Sequence, residues 1–275
     1  MVKIDIPPIT RRVWWNLDVK RKWEKRLPRV RKVYLDAELT TVLVGMRRVY
    51  VYHINSNKFD ESYAMLRKNG LVFFPTNKGG LYSGFSHKHR PVEQGKPYQL
   101  YGAAVKADDL EAGELFIEYS KVANKTAELG GELLGYPDCD TKFFETIWPD
   151  IQDPMFESAL NTPGKKKKGD TVTVSCHPYC NQLLRYFGFR ITPHLSHSMQ
   201  CEKTIAWGKE WIGIMEQIDA EATEWLVELL SMPLEWNFYK GVAIIDTPLF
   251  RGITNSNVSV DRKVIVNTGW DYESL

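Results

Sequence analysis

All four cysteines of this chain fall between positions 139 and 201, and three of its six histidines, His177, His194 and His197, share that window. Three short motifs carry them: GYPDCD at 135–140, CHPYC at 176–180 and PHLSHSMQC at 193–201. Thiolate and imidazole are both ligands for zinc, and thiolates also hold iron–sulfur clusters. His197 and Cys201 are four residues apart, a spacing that puts both on one face if a helix begins at a Ser198 cap. Cys176 and Cys180 repeat the spacing, with Pro178 between them. Cys139 follows Pro137 and Asp138, so it belongs in the first turn of a helix, where the dipole favours thiolate over thiol. The expected metal set is Cys139, His197 and Cys201, completed by His194 or Cys180. Two alternatives stay open: cysteines that pack as small hydrophobes, and a catalytic thiol that uses no metal. None of these spacings is the CxxC pair of common zinc sites.

The GYPDC and PHLSHSMQC segments resemble two blocks of a poorly characterised bacterial and phage family, over a stretch of roughly 70 residues. In that pattern the first block ends in paired cysteines, and the second has a cysteine four residues before its last. Asp140 and His197 stand at those two places in this chain. The resemblance brings no established activity. It implies that an all-cysteine iron–sulfur set has become Cys/Asp/His/Cys here, a combination better suited to zinc.

Charge is uneven along the chain. Ten basic residues between 10 and 32 face only Asp18 and Glu24, so this stretch carries +8 of a net +2 and the remainder carries −6. Trp14, Trp15 and Trp23 lie among the basic residues. Cations neutralise phosphates and indoles stack on bases, so the segment suits nucleic acid or a nucleotide, with Trp14 and Trp15 as contacts. The competing reading is a solvated basic helix whose tryptophans dock on the domain and whose Lys and Arg stems cover apolar surface.

A second constellation, GFSHKHR at 84–90, lies among glycine-rich turns. His87 and His89 alternate, so in an extended segment they face one side, with Lys88 and Arg90 opposite. The histidines fit general acid–base work, and Lys88 and Arg90 fit the grip on a phosphate or carboxylate. Glu235, before an expected strand, and Asp246, after another, are candidate carboxylates for catalysis. No P-loop, GxGxxG, GxSxG or HExxH occurs, so common nucleotide-binding and hydrolase motifs are excluded.

The periodicity predicts an α/β or α+β protein: a small N-terminal α/β unit, then a mostly helical half with a few C-terminal strands. Its parts would be a basic segment at 1–32, an α/β unit at 33–108 and a helical domain at 109–275, or all three as one domain. Strands are expected at 49–54, 71–74, 98–105, 171–175, 242–245, 249–253 and 264–266. Helices are expected at 58–68, 109–133, 139–148, 178–187, 198–218 and 219–230, the last capped by Asp219. Pro75 is expected to stop its strand, and the run Lys165–Lys168 to form an exposed, mobile tip.

With 43% hydrophobic and 25% charged residues, the chain is able to build a core, which excludes whole-chain disorder. The longest apolar run, at 100–105, is far below the ~18–20 residues of a membrane span, so no membrane partner is expected. The first eight residues lack an apolar signal core, and four cysteines are too few for a disulfide scaffold. A cytoplasmic protein is the expectation. Functionally, the leading expectation is a zinc-dependent or iron–sulfur enzyme acting on a nucleotide, nucleic acid or other phosphate-bearing substrate, nucleotide modification included. The alternative is a non-catalytic nucleic-acid-binding or assembly protein with a structural metal or none.

Overall fold

A computed structural model describes residues 10–81, 91–121, 127–148, 154–255 and 261–271. In chain order the elements are β1 (Thr10–Trp14), α1 (Leu17–Leu43), β2 (Val49–Asn55), α2 (Phe59–Lys68), β3 (Leu71–Gly80) and β4 (Tyr98–Lys106). Then come α3 (Leu110–Lys121), α4 (Ala127–Leu133), α5 (Asp138–Ile147), α6 (Met155–Asn161), β5 (Lys166–Lys168) and β6 (Thr171–Val174). Two single-turn 3-10 helices, Pro178–Cys180 and Arg185–Phe187, precede α7 (Glu202–Ser231) and the strands β7 (Leu234–Tyr239), β8 (Val242–Asp246), β9 (Phe250–Asn255) and β10 (Lys263–Asn267). The mixed α/β class is as expected. No helix among the described residues is long and apolar enough to cross a membrane.

The described residues divide into two compact units: those within 10–35 and 146–271 form one, those within 36–81 and 91–145 the other. The smaller unit is a three-stranded antiparallel sheet in the order β2-β4-β3, with a core on each face. Strand alternation sorts the residues: Tyr50, Ile54, Leu71, Phe73 and Ala104 pack with Leu66 of α2 and Val42 of α1. Val49, Ala103 and Val105 pack on the other face with Ala112 and Phe116 of α3 and Leu133 of α4. Pro75 does not end β3, which runs on to Gly80 with a register shift between Pro75 and Asn77. β3 is an edge strand, where proline is tolerated, and the register shift accommodates it.

The larger unit is built on a seven-stranded sheet, β1-β9-β8-β7-β10-β6-β5, antiparallel except for the β10–β6 pair. The three expected C-terminal strands are joined there by β7, whose residues alternate buried Leu234, Trp236 and Phe238 with outward Glu235, Asn237 and Tyr239. The lysine run is a short exposed edge strand paired with β6 rather than a bare loop. Lysines there block further pairing along the open edge. Residues 178–187 form two 3-10 turns instead of one helix.

The basic N-terminal segment is strand then helix. Within α1, Trp23, Leu27, Val30 and Tyr34 recur at helical spacing and are buried, Trp23 to 1% exposure. Burying side chains of this size stabilises by about 1.5–3 kcal/mol each. That stripe holds the helix in place despite Pro28 within it. α7 breaks at Asp219, whose backbone is extended (φ −161°, ψ 90°). Its carboxylate accepts from Ala222 N at 3.1 Å, so Asp219 caps the second segment as the sequence predicts.

Candidate metal centre

Gly135 has φ +66°, and a Cβ there would stand 2.7 Å from the carbonyl oxygen of Met46. Only glycine meets both demands. α5 follows, with Asp140 N and Thr141 N each donating to the Pro137 carbonyl at 3.0 Å. Cys139 therefore sits in the first turn, as expected, and Asp140 sits beside it. The Cys139 Sγ lies 3.9 Å from Asp140 Oδ1. Asp140 is only 2% exposed, and a carboxylate that deep is stable only with compensating charge or hydrogen bonds.

The second motif folds differently from the sequence expectation. Ser198 does not cap a helix containing His197 and Cys201. Its hydroxyl accepts from Gln200 N at 3.3 Å, and its carbonyl accepts from Cys201 N at 3.2 Å and from the Ser196 hydroxyl. Serine prefers such local turns to helix interiors. α7 begins only at Glu202, with Cys201 as its N-cap: Sγ accepts from Thr204 N at 3.4 Å. His197 lies in the loop before the helix.

Cys139, Asp140, His197 and Cys201 each offer one ligand atom, and these atoms lie within 4.8 Å of one another. Asp140 and Cys201 are buried, and Cys139 and His197 partly so. A group with this composition and spacing is able to hold a metal ion. Three members are the expected core of the set. The fourth is Asp140, where the sequence had offered His194 or Cys180. Only its place beside Cys139 in GYPDCD, at the position the resemblance gives to a cysteine, pointed to it.

The other donors are engaged elsewhere. The Cys180 thiol donates to the Cys201 carbonyl at 3.7 Å, and buried His194 meets Trp207 edge-on, with ring centroids 5.0 Å apart. Cys176 is buried, which pushes its thiol well above the ordinary range and keeps it protonated. Burial also lowers His177 from 6.5 to about 4. That imidazole is neutral, and its Nδ1 accepts from Tyr179 N at 3.2 Å. The four cysteines form no disulfide.

The remaining candidates are spread over the chain. His87, Lys88, His89 and Arg90 lie outside the described residues. Glu235 is not ahead of a strand but within β7, exposed and paired in register with Asp246. Asp246 is bound by Arg251 at 2.6 Å. Trp14 packs edge-on to Phe250 at 5.7 Å. Trp15 is 50% exposed, and its indole N–H donates to the Thr247 carbonyl at 2.6 Å. No family model matches this chain, and no curated protein or solved structure matches it.

Proposed function

We propose that this is a polyanion-binding protein whose fold carries one structural zinc ion, held by Cys139, Asp140, His197 and Cys201. The observation that carries the reading is the complete four-donor group within 4.8 Å. Structural zinc takes four protein ligands, whereas catalytic zinc keeps a position open for water or substrate. Two thiolates with an imidazole and a carboxylate suit zinc better than an iron–sulfur cluster. The resemblance to the bacterial and phage family favours the same set.

The ligand is inferred from α1 and β1. Some of their cations are spent on the chain itself: Arg26 on Glu228 at 3.1 Å, Arg29 on Glu221 at 2.7 Å and on Asp219. Others are exposed, and Arg11, Lys20, Lys22 and Lys25 make no ion pair with any described residue. Such a surface attracts phosphate backbones by counterion release, and a nucleic acid single strand is the simplest fit.

Two measurements on untagged protein test the proposal. Metal analysis should find one zinc per chain, and a labelled oligothymidylate should bind at low salt with affinity falling as salt rises. Metal-free folded protein would overturn the zinc assignment. A flat isotherm at low salt would overturn the polyanion assignment.

A further inference from the structure

Arg12 and Arg31 belong to different elements, and each guanidinium carbon lies 5.9 Å from the centroid of the same ring, Phe189. Arg12 also stands 5.4 Å from the Trp14 ring and 5.8 Å from Phe250. Strand register explains the aromatic setting. Arg12 and Trp14 share one face of β1, opposite Gly252 and Phe250 of β9. Gly252 leaves the space that Phe187 fills: a Cβ there would lie 2.2 Å from the Phe187 ring. Arg31 is fixed from α1 by donating through Nη2 to the Phe187 carbonyl at 2.9 Å.

Two cations around one ring repel each other and ordinarily attract a carboxylate. Neither Arg12 nor Arg31 forms an ion pair with a described residue. Glu24 is the acidic group that acts on Arg12, and it does so through space only. Arg12 is exposed at the surface, yet partial desolvation by the rings packed around its guanidinium, and next the positive charge of Arg31, hold that group below its ordinary range. An anion placed there would relieve both costs. Arginine also offers a planar fork that matches phosphate geometry.

We propose that Arg12 and Arg31, set around Phe189, form a phosphate-binding site that grips one phosphate group of the polyanion while Trp14 and Phe250 brace the Arg12 guanidinium. This rests on the polyanion reading above and gives it a specific locus. Arg12 and Arg31 are exposed like the lysines of α1, but the rings around them and the Arg31–Phe187 hydrogen bond give the pair a fixed geometry that the lysines lack.

The test is the salt dependence of oligothymidylate binding by the full zinc-loaded chain. Arg12→Gln and Arg31→Gln should each weaken binding at least tenfold. Each should also reduce the slope of log K against log salt by about 0.7, the value for one single-strand phosphate contact. Arg67→Gln, an exposed cation of α2 outside the basic segment, should change affinity less than threefold. Should Arg12→Gln fail to fold, inorganic pyrophosphate titrated into wild type, followed by the arginine Nε–H resonances, should shift two arginine signals together. Wild-type binding that both glutamine variants leave unchanged overturns the site and spares the polyanion reading. Wild type that binds no oligothymidylate overturns both.

Discussion

The thiol of Cys180 donates to the backbone carbonyl of Cys201 at 3.7 Å, while the Cys201 sulfur itself accepts the Thr204 amide at 3.4 Å. One cysteine thus supports the backbone at the residue where the other presents its sulfur. The two should respond oppositely to substitution. Cys201→Ser should lose most of the bound zinc and lower the melting temperature. Cys180→Ala should keep close to one equivalent and be destabilised only by the small cavity it leaves. Metal content after desalting, measured beside thermal unfolding, reads both. Zinc loss in Cys180→Ala with retention in Cys201→Ser would reverse the assignment.

Asp219 makes two kinds of contact that can be separated. Its carboxylate caps the second segment of α7 through Ala222 N and also binds Arg29, which holds its pKa below the usual carboxylate range. Asp219→Ala removes both and should cost about 1–2 kcal/mol. Asp219→Asn keeps an N-capping oxygen and loses only a largely exposed ion pair, so about 0.5 kcal/mol is expected. Urea unfolding of both variants decides whether the cap or the charge matters more.

Two glycines should respond in opposite senses. At Gly252 an added Cβ would meet the Phe187 ring at 2.2 Å, and Phe187 is itself buried and edge-on to Phe250 at 5.6 Å. Gly252→Ala should therefore destabilise by about 1–3 kcal/mol. At Gly213, within α7, nothing lies within 4 Å of an added Cβ. Gly213→Ala should stabilise by about 0.5–1 kcal/mol through helix propensity. Equal effects from the two substitutions would contradict this packing.

Buried His177 should leave a mark on the pH dependence of stability. Its pKa is about 4 in the fold, against 6.5 for the ordinary group. As pH falls below 6.5 the unfolded chain takes up a proton that the folded chain refuses, so stability drops until about pH 4. The loss is at most about 3 kcal/mol. His177→Phe removes this titration. Acid also releases zinc from both proteins, so the difference between their stability–pH curves isolates the histidine. Parallel curves between pH 6.5 and 4 would show that His177 takes no part.

Much of this was legible in the sequence, for local reasons. Val49 and Tyr50 alternate between two cores as a strand period requires, and Asp219 announces its cap through its position before a helical run. Cys139 falls in the first turn because Pro137 fixes where α5 begins. The errors arose where tertiary pairing overrides local pattern. Pro75 is tolerated because β3 lies at a sheet edge, and the lysine run becomes strand because β6 supplies a partner. Both depend on distant neighbours that no short window contains. Ser198 looked like a cap, but its hydroxyl and carbonyl satisfy the loop that delays α7 to Glu202. Asp140 was the least visible residue of the metal group. A carboxylate in a first helical turn is ordinary dipole chemistry, and only its burial beside Cys139 sets it apart.

X-ray absorption at the zinc edge, on untagged protein as purified, tests the four-residue site most directly. The expected result is one zinc per chain with two sulfur scatterers at about 2.3 Å and two nitrogen or oxygen scatterers at about 2.0–2.2 Å. Asp140→Ala should remove one of the light scatterers or the ion altogether. A brown protein holding iron and sulfide, or a zinc shell with any sulfur count other than two, would contradict the assignment of Cys139, Asp140, His197 and Cys201.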